Sequence, residues 1–202
     1  MPLWLASQPL VLASKSQVRG KLLAGAGLRF ETRLASIDER AVEARSGARD
    51  PVAVARLLAR EKALAGAASM PGRLVLGADQ TLARGSERYS KPADRAAAAE
   101  QLRNLRGSTH ALHSALALAR NDEVLFDCVD SAQLTMRDFS DQFLETYLDL
   151  AGGAALTSVG GYQLEGIGVH LFEKVEGDYF TILGLPLLPL LAFLRQNGFI
   201  AG

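Results

Sequence analysis

One cysteine, Cys128, is too few for a disulfide within the chain or for a zinc site of the cysteine-rich kind. The lack of a disulfide framework fits a reducing cytoplasm. Histidine is nearly as scarce, with only His110, His113 and His170. An excess of one charge is missing too. Lys plus Arg number 22 and Asp plus Glu number 22, so the net charge is zero. A balanced chain has no whole-molecule pull toward nucleic acid or anionic membrane. Without a basic aromatic stripe, stable nucleic-acid binding is not expected. A local basic cleft, which a small polyphosphate would need, stays open. Long hydrophobic runs are absent as well. The longest, residues 182–194, contains Gly184, Pro186 and Pro189 and is too short to span a bilayer. Met1 to Ala6 has no basic start leading into an apolar run, so no signal peptide is expected. The expectation is a cytoplasmic protein without a membrane partner. Its 202 residues, 49% of them hydrophobic, suit one domain over 1–202.

Hydrophobic periodicity and capping residues outline the elements. Pro9-Leu10-Val11-Leu12-Ala13 reads as a short buried strand. Ser16 then caps a helix whose apolar stripe is Val18, Leu22, Leu23 and Ala26, with Gly27 as its stop. Residues 28–34 read as a strand, and 46–51 as a loop from which Pro51 opens a helix to about Ala67. Leu74-Val75-Leu76-Gly77-Ala78 reads as a strand that ends at Asp79, and Arg84-Gly85-Ser86-Glu87 as a hairpin turn. Asp94 caps a helix stopped by Gly107. Residues 109–119 and 124–136 form two long strands, and Ser140 caps a helix to about Leu150. Residues 169–175 read as a last strand, and Pro186 opens the last helix. Interleaved strands and helices with one long hairpin predict an α/β fold with a mixed sheet.

Five segments could carry chemistry. Ser14-Lys15-Ser16-Gln17-Val18-Arg19 lies between a strand and a helix, where backbone N–H groups and the helix dipole favour phosphate. The glycine-rich pattern of a P-loop is absent. Lys62 lies on the stripe Val52, Ala55, Ala59, Lys62, Gly66, an apolar, small-residue face. An ammonium there meets an anion or snorkels to water, whereas Arg56 and Arg60 lie off the stripe as solvated charges. Asp79, after the small Gly77 and Ala78, could hold a cation, act as a general base, or only cap a turn. Lys91, before Pro92, is held in an extended segment. Glu165 stands in the glycine-rich run Gly160-Gly161-Tyr162-Gln163-Leu164-Glu165-Gly166 and could meet a ligand or solvent. His110 and His113, three apart in a strand, face opposite sides and make a poor metal pair, and Cys128 in a strand is core rather than nucleophile.

These segments together resemble one family, the Maf or septum-formation-inhibitor proteins, regarded as nucleoside triphosphate pyrophosphatases. The likeness runs along essentially the whole chain. It is carried by Leu-Ala-Ser-Lys-Ser with Arg19, by Asp38-Glu39, Glu61-Lys62-Ala63 and Gly77-Ala78-Asp79-Gln80, by Lys91-Pro92, and by Gly161-Tyr162 with Glu165-Gly166. Gly177-Asp178-Tyr179 leading to Gly184-Leu185-Pro186 completes it. The resemblance implies a Maf/ITPase-like fold: an elongated mixed β-sheet flanked by helices, with two lobes around a deep cleft, often in a homodimer. It implies hydrolysis of a nucleoside triphosphate to monophosphate and pyrophosphate, with magnesium or manganese. It makes Asp79 the proton acceptor, and Arg19, Lys62 and Lys91 the cations that grip the triphosphate, to which the Ser14 and Ser16 hydroxyls of the strand–helix turn add donors. Glu39 joins Asp79 as the acidic pair for metal or water. The family's older name leaves a second reading, a nucleotide-sensing regulator of cell division.

The chain also departs from the common pattern. Many members carry two adjacent arginines where it has Val18 and Arg19, and Thr and Gln where it has Gln80 and Glu165. Gln80 with Glu165 resembles the branch acting on 7-methylguanosine triphosphate, and a carboxylate can accept from the N–H edge of guanine. An aromatic residue often stands at the position of Val18 in that branch, where it could stack on the cationic base. Valine cannot, so a methylguanine preference and a broader purine range both stay open.

Overall fold

The computed structural model describes residues 3–202. Met1 and Pro2, the start of the segment expected not to be a signal peptide, lie outside the described residues. Seven strands build one mixed sheet: β1 (Leu10–Ala13), β2 (Phe30–Thr32), β3 (Val75–Arg84), β4 (Glu87–Tyr89), β5 (Thr109–Arg120), β6 (Glu123–Met136) and β7 (Phe172–Glu176). The order is β2-β1-β3-β5-β6-β7, with β4 paired to β3. β1 runs parallel to β2 and β3, while β3–β4 and β6–β7 are antiparallel. The helices are α1 (Gln17–Gly25), α2 (Glu39–Ser46), α3 (Pro51–Ala68), α4 (Arg95–Leu105), α5 (Asp141–Ala151), α6 (Tyr179–Ile182) and α7 (Leu187–Gln196). None is long and apolar enough to cross a membrane among the described residues.

The chain divides into two compact units. One runs as far as Gln80 and takes in Ser114–Asp130 and Gly184–Gly202; the other holds Thr81–His113 and Ser131–Leu183. In the first, Val11 and Ala13 of β1 and Val75 of β3 pack with Ala55, Ala59, Ala63 and Ala67 of α3 and with Ala115, Ala117 and Ala119 of β5. This core is built almost wholly from alanine and valine, so α3 lies unusually close to the sheet. Asp50 starts α3 by accepting from the Ala53 N–H at 2.9 Å, and Pro51 occupies the first turn where no donor is needed. A Cβ at Gly77 would stand 2.2 Å from the Ala59 carbonyl oxygen and 2.5 Å from the Ala63 nitrogen. Only glycine permits that approach of helix backbone to strand.

In the second unit, Leu82, Leu102, Leu105, Leu134, Met136 and Leu144 form the centre of a larger-residue core. Asp94 and Ser140 cap α4 and α5 by accepting from the N–H groups of Ala97 and Phe143, as the sequence predicts. The Gly85–Ser86 turn joins β3 to β4 with Arg84 opposite Glu87.

Three expectations need correcting. β3 does not end at Asp79. It continues to Arg84, because Thr81, Leu82 and Ala83 are buried and Leu82 pairs with Tyr89 of the hairpin. The segment read as a strand from residue 169 is a 3-10 turn, Ile167–Leu171, and the strand begins only at Phe172. Of the four residues of the apolar stripe of α1, only Leu23 is fully buried, so the stripe is not a core face. α2, capped by Asp38, went unread because it offers a single buried residue, Val42, and so has almost no hydrophobic period.

Candidate active site

β1 ends at Ala13, opposite Gly77 of β3. Past that pair β3 has no parallel partner in β1, and its next residues, Ala78, Asp79 and Gln80, stand beside the Ser14–Ser16 turn. The rule that ligands collect at the carboxyl ends of parallel strands therefore holds for β1, while β3 runs on. Alternation along β3 places Gly77 and Asp79 on the same face, the face covered by α3. The close approach at Gly77 then brings Lys62, on the next turn of α3, onto the Asp79 carboxylate. The Lys62 ammonium donates to Asp79 Oδ1 at 2.6 Å, and Glu39 Oε1 lies 2.9 Å from the same nitrogen. The Lys62 and Asp79 side chains are 14% and 12% exposed, whereas Glu39, the first residue of α2, is half exposed. The apolar stripe around Lys62 thus ends in an anion, one of the two outcomes open from sequence.

Arg19 ties three elements together. Its Nε donates to the Gly184 carbonyl at 2.7 Å, and its Nη1 donates to Ser14 Oγ at 3.0 Å and to the Ala78 carbonyl at 2.8 Å. Gly184, with φ of 92°, leaves room for the guanidinium. Nη2 makes no hydrogen bond among the described residues. Ser14 Oγ also accepts from the Ser16 N–H, and Ser16 Oγ accepts from the Arg19 N–H as the helix cap. Both hydroxyl oxygens are therefore occupied as acceptors, which leaves their protons for an incoming anion. Lys15 stands exposed beside them, and a hollow of about 430 Å3 runs from this turn past Gly20 to Phe30, Thr32 and Leu34.

The electrostatics follow from burial among mixed charges. Burial pushes the Asp79 carboxyl above the usual carboxylate range, with Glu39 adding to it, against the opposing pull of Lys62 and Arg19. Burial likewise lowers the affinity of the Arg19 guanidinium for its proton, opposed by Asp79 and Glu39. A carboxylate with raised basicity beside fixed cations is suited to orienting water and receiving its proton.

The first unit thus brings together Ser14, Ser16, Arg19, Glu39, Lys62 and Asp79. Val18 is half-buried in α1. Gln80 does not extend into open solvent, and its amide donates to Ser114 Oγ at 2.9 Å. Lys91 and Glu165 are exposed residues of the second unit, one after β4 and one in the glycine-rich turn. Among the described residues no three His, Cys, Asp or Glu side chains are grouped to hold a metal by themselves. Cys128 is half-buried in β6, and burial with Asp127 and Asp130 nearby pushes its thiol up to about 11, which makes it a poor nucleophile. Arg56, expected to be a plain solvated charge, pairs with Asp127 at 3.1 Å. Three participants escaped sequence reasoning. The carbonyls of Ala78 and Gly184 that fix Arg19 are backbone groups, which no side-chain pattern reveals, and Ser114 lies mid-strand without any motif.

The Maf-like protein family matches residues 9–197. The chain is 56% identical over 201 residues to the nucleoside triphosphate pyrophosphatase of Rhodopseudomonas palustris (strain BisB18), covering 100% of both. It is 53% identical over 194 residues to the 7-methyl-GTP pyrophosphatase of Rhizobium meliloti (strain 1021), covering 95% of this chain and 97% of that one. Among solved structures, a HAM1 protein from Coxiella burnetii is similar over 64% of this chain and 73% of its own, with a TM-score of 0.42 and 16% identity. With the family match spanning nearly all of the sequence and full-length relatives above half identity, the chain belongs to the Maf-like protein family.

Proposed function

We propose that the chain hydrolyses nucleoside triphosphates to monophosphate and pyrophosphate, with Asp79 as proton acceptor. The observation that carries this is the Asp79 carboxylate held by Lys62 at 2.6 Å beside the Ser14–Ser16 turn, buried and made more basic by its burial. Names of full-length relatives support the same reaction.

The polyphosphate is held by the Ser14 and Ser16 hydroxyl protons, by the N–H groups at the start of α1, by Arg19 Nη2, by Lys62 and by Lys91. Asp79 orients a water and takes its proton as the oxygen attacks the α-phosphorus. The bond from that phosphorus to the β-phosphate bridging oxygen breaks, and pyrophosphate leaves with the electron pair. Lys62 and Arg19 stabilise charge on the attacked group and the leaving group.

A divalent cation, magnesium or manganese, fits the donor set. Asp79 and Glu39 present two carboxylates on one ammonium, and magnesium is commonly held by one or two carboxylates together with substrate phosphates. Such an ion supplies Lewis-acid stabilisation of the phosphates. It also explains why no complete cage of protein ligands is needed. Glu165 reads the N–H edge of a purine, with Gln80 and Val18 shaping base preference between methylguanine and a broader purine range. The scarcity of thiols suits a cytoplasmic setting, and the resemblance supports a homodimer.

The test is a product assay with purified protein, magnesium or manganese, and GTP, 7-methyl-GTP, UTP and dTTP. Equal amounts of monophosphate and pyrophosphate are expected. Asp79→Asn keeps the shape and loses the charge, and turnover should fall at least about a hundredfold, equivalent to roughly 3 kcal/mol of barrier. Orthophosphate as the product, or undiminished turnover in the variant, refutes the assignment.

A further inference from the structure

The glycine-rich turn that carries Glu165 hangs from one buried side chain. Tyr162 is 4% exposed, and three residues later Glu165 is exposed. Between them the backbone folds on itself. The Gly166 N–H donates to the Gln163 carbonyl at 3.2 Å, and the Val169 N–H donates to the Gly166 carbonyl at 3.2 Å. Gly160 and Gly161 have φ of 79° and 76°, and a Cβ at Gly168 would stand 2.4 Å from the Gln163 oxygen. Tyr147 Oη donates to the Gly161 carbonyl at 3.0 Å, and the Ser158 hydroxyl donates to the Tyr162 carbonyl. The turn is thus pinned at its start; Tyr162 is the one fully buried side chain of residues 160–168, and Leu164 packs partly buried against the same core.

What Tyr162 meets there is His110. The histidine is 1% exposed in β5, and its Nε2 shares a 2.7 Å hydrogen bond with Tyr162 Oη. Its Nδ1 has no hydrogen-bond partner among the described residues. Phe172 of β7 packs edge-on against Tyr162 at 4.8 Å and against the His110 ring at 6.0 Å. A histidine kept only for bulk would be better served by leucine or phenylalanine, since burying two ring nitrogens among aromatic rings costs free energy that one hydrogen bond only partly offsets. Desolvation also pushes its pKa down to about 4, so the imidazole is neutral and the bond to Tyr162 is an uncharged one.

We infer that His110 is a positioning residue: by locking Tyr162 it fixes the Gly160–Gly168 turn and thereby the direction of Glu165, and so sets the nucleobase preference. This rests on the reading of Glu165 as the base reader. The imidazole touches no substrate. Its influence passes through Tyr162 Oη, the ring, and three residues of tightly turned backbone.

The experiment compares the wild-type chain with His110→Leu, His110→Gln, Tyr162→Phe and Glu165→Ala. Glutamine places a nitrogen or oxygen near the position of Nε2, so it can restore the bond, and leucine cannot. Two quantities are measured: amide hydrogen exchange over residues 160–168, and kcat and KM for GTP and UTP. His110→Leu and Tyr162→Phe should each speed exchange in the turn and raise KM for GTP more than they lower kcat. The GTP/UTP ratio of kcat/KM should fall about three- to tenfold, the scale of one neutral hydrogen bond. His110→Gln should recover most of both effects. Should His110→Leu fail to fold, Tyr162→Phe and His110→Gln carry the comparison alone. Unchanged exchange in the turn overturns the lock. Faster exchange with an unchanged base ratio also overturns the proposal, provided Glu165→Ala does shift that ratio. If Glu165→Ala leaves the ratio untouched, the base-reader reading has failed, and the lock is then judged on exchange in the turn alone.

Discussion

Removing Lys62 should unbalance the site in a direction that can be read from pH. In Lys62→Met the side chain keeps its length and loses its ammonium. Asp79 and Glu39 then share a partly buried space without the cation that now lies 2.6 and 2.9 Å from them. At an effective dielectric of about 20, two unit charges 2.6 Å apart attract by roughly 6 kcal/mol. Desolvation of both groups offsets much of that. Removing one partner of a fully buried pair costs about 3–5 kcal/mol. Here both side chains keep some solvent contact and Glu39 is half exposed, so a loss of about 2 kcal/mol of stability is expected, near 4–8 °C in Tm for a chain of this size. The kinetic effect should be larger. Loss of a fixed cation from the charge-stabilising set costs about a hundredfold in kcat/KM. The sharpest readout is the acid limb of the pH–rate profile. Lys62 lowers the Asp79 pKa, so its removal raises that pKa and moves the limb to higher pH. Glu39 acts in the opposite sense, so Glu39→Gln should move the limb to lower pH. Both shifts are measured from kcat against pH in the same buffers. A limb that stays in place in Lys62→Met, or that moves the same way in both variants, refutes Asp79 as the titrating base.

Gly77→Ala should destabilise the chain by about 3 kcal/mol, because its Cβ would meet helix backbone, which cannot turn aside as a side chain could. Thermal unfolding reports this, and residual activity well below Tm should also fall, since α3 must lift Lys62 away from Asp79. A second outcome concerns acid. The folded-state pKa of His110 is about 4 against 6.5 for an ordinary histidine, so the unfolded chain binds the proton first as pH falls. The resulting acid penalty on the folded state is absent above pH 6.5, grows between 6.5 and 4, and totals roughly 3 kcal/mol. His110→Gln should flatten Tm over that window relative to wild type, and an identical slope in both proteins would contradict it. Chelation of divalent cations should abolish pyrophosphate release, and either magnesium or manganese should restore it; full turnover in excess chelator would remove the metal from the scheme.

Much of the fold was legible because its signals are local. Capping residues Ser16, Asp94 and Ser140, and Pro51 in the first turn of α3, mark helices wherever they occur. The length of β3 was not legible at Asp79, because a charged residue inside an apolar run reads as an end. Only the antiparallel hairpin and the burial of Leu82 reveal that the strand goes on. The Lys62–Asp79 contact was half legible. The sequence shows a lysine on a small-residue face and an aspartate after two small residues, but their meeting depends on the Gly77 contact with the backbone of α3. The dual use of Arg19 lay beyond reach, since two of its partners are carbonyls brought near by tertiary packing. His110 was read only as one half of a poor metal pair with His113. Its partner lies 52 residues away, and that separation carries no local signal.

The charge balance of the first unit distinguishes turnover from mere recognition. Arg19 and Lys62 face Asp79 and Glu39, so the group sums to zero before any substrate arrives. A site shaped only to hold a nucleotide, as a sensor of cell division would be, gains nothing from two carboxylates beside a polyphosphate, because each repels it. The carboxylates become an advantage only where a proton must be taken from water and a divalent cation shared with the phosphates, interactions that strengthen as the transition state forms. The same logic separates the two readings in one variant. Asp79→Asn removes a repelling charge, so it should bind nucleotide at least as tightly as the wild type while losing its turnover. Measured by calorimetry in the presence of calcium, unchanged or tighter binding with lost hydrolysis places Asp79 in the chemistry. If that inactive variant still produced a division phenotype in cells, the regulatory role would rest on binding and the reaction would be incidental to it.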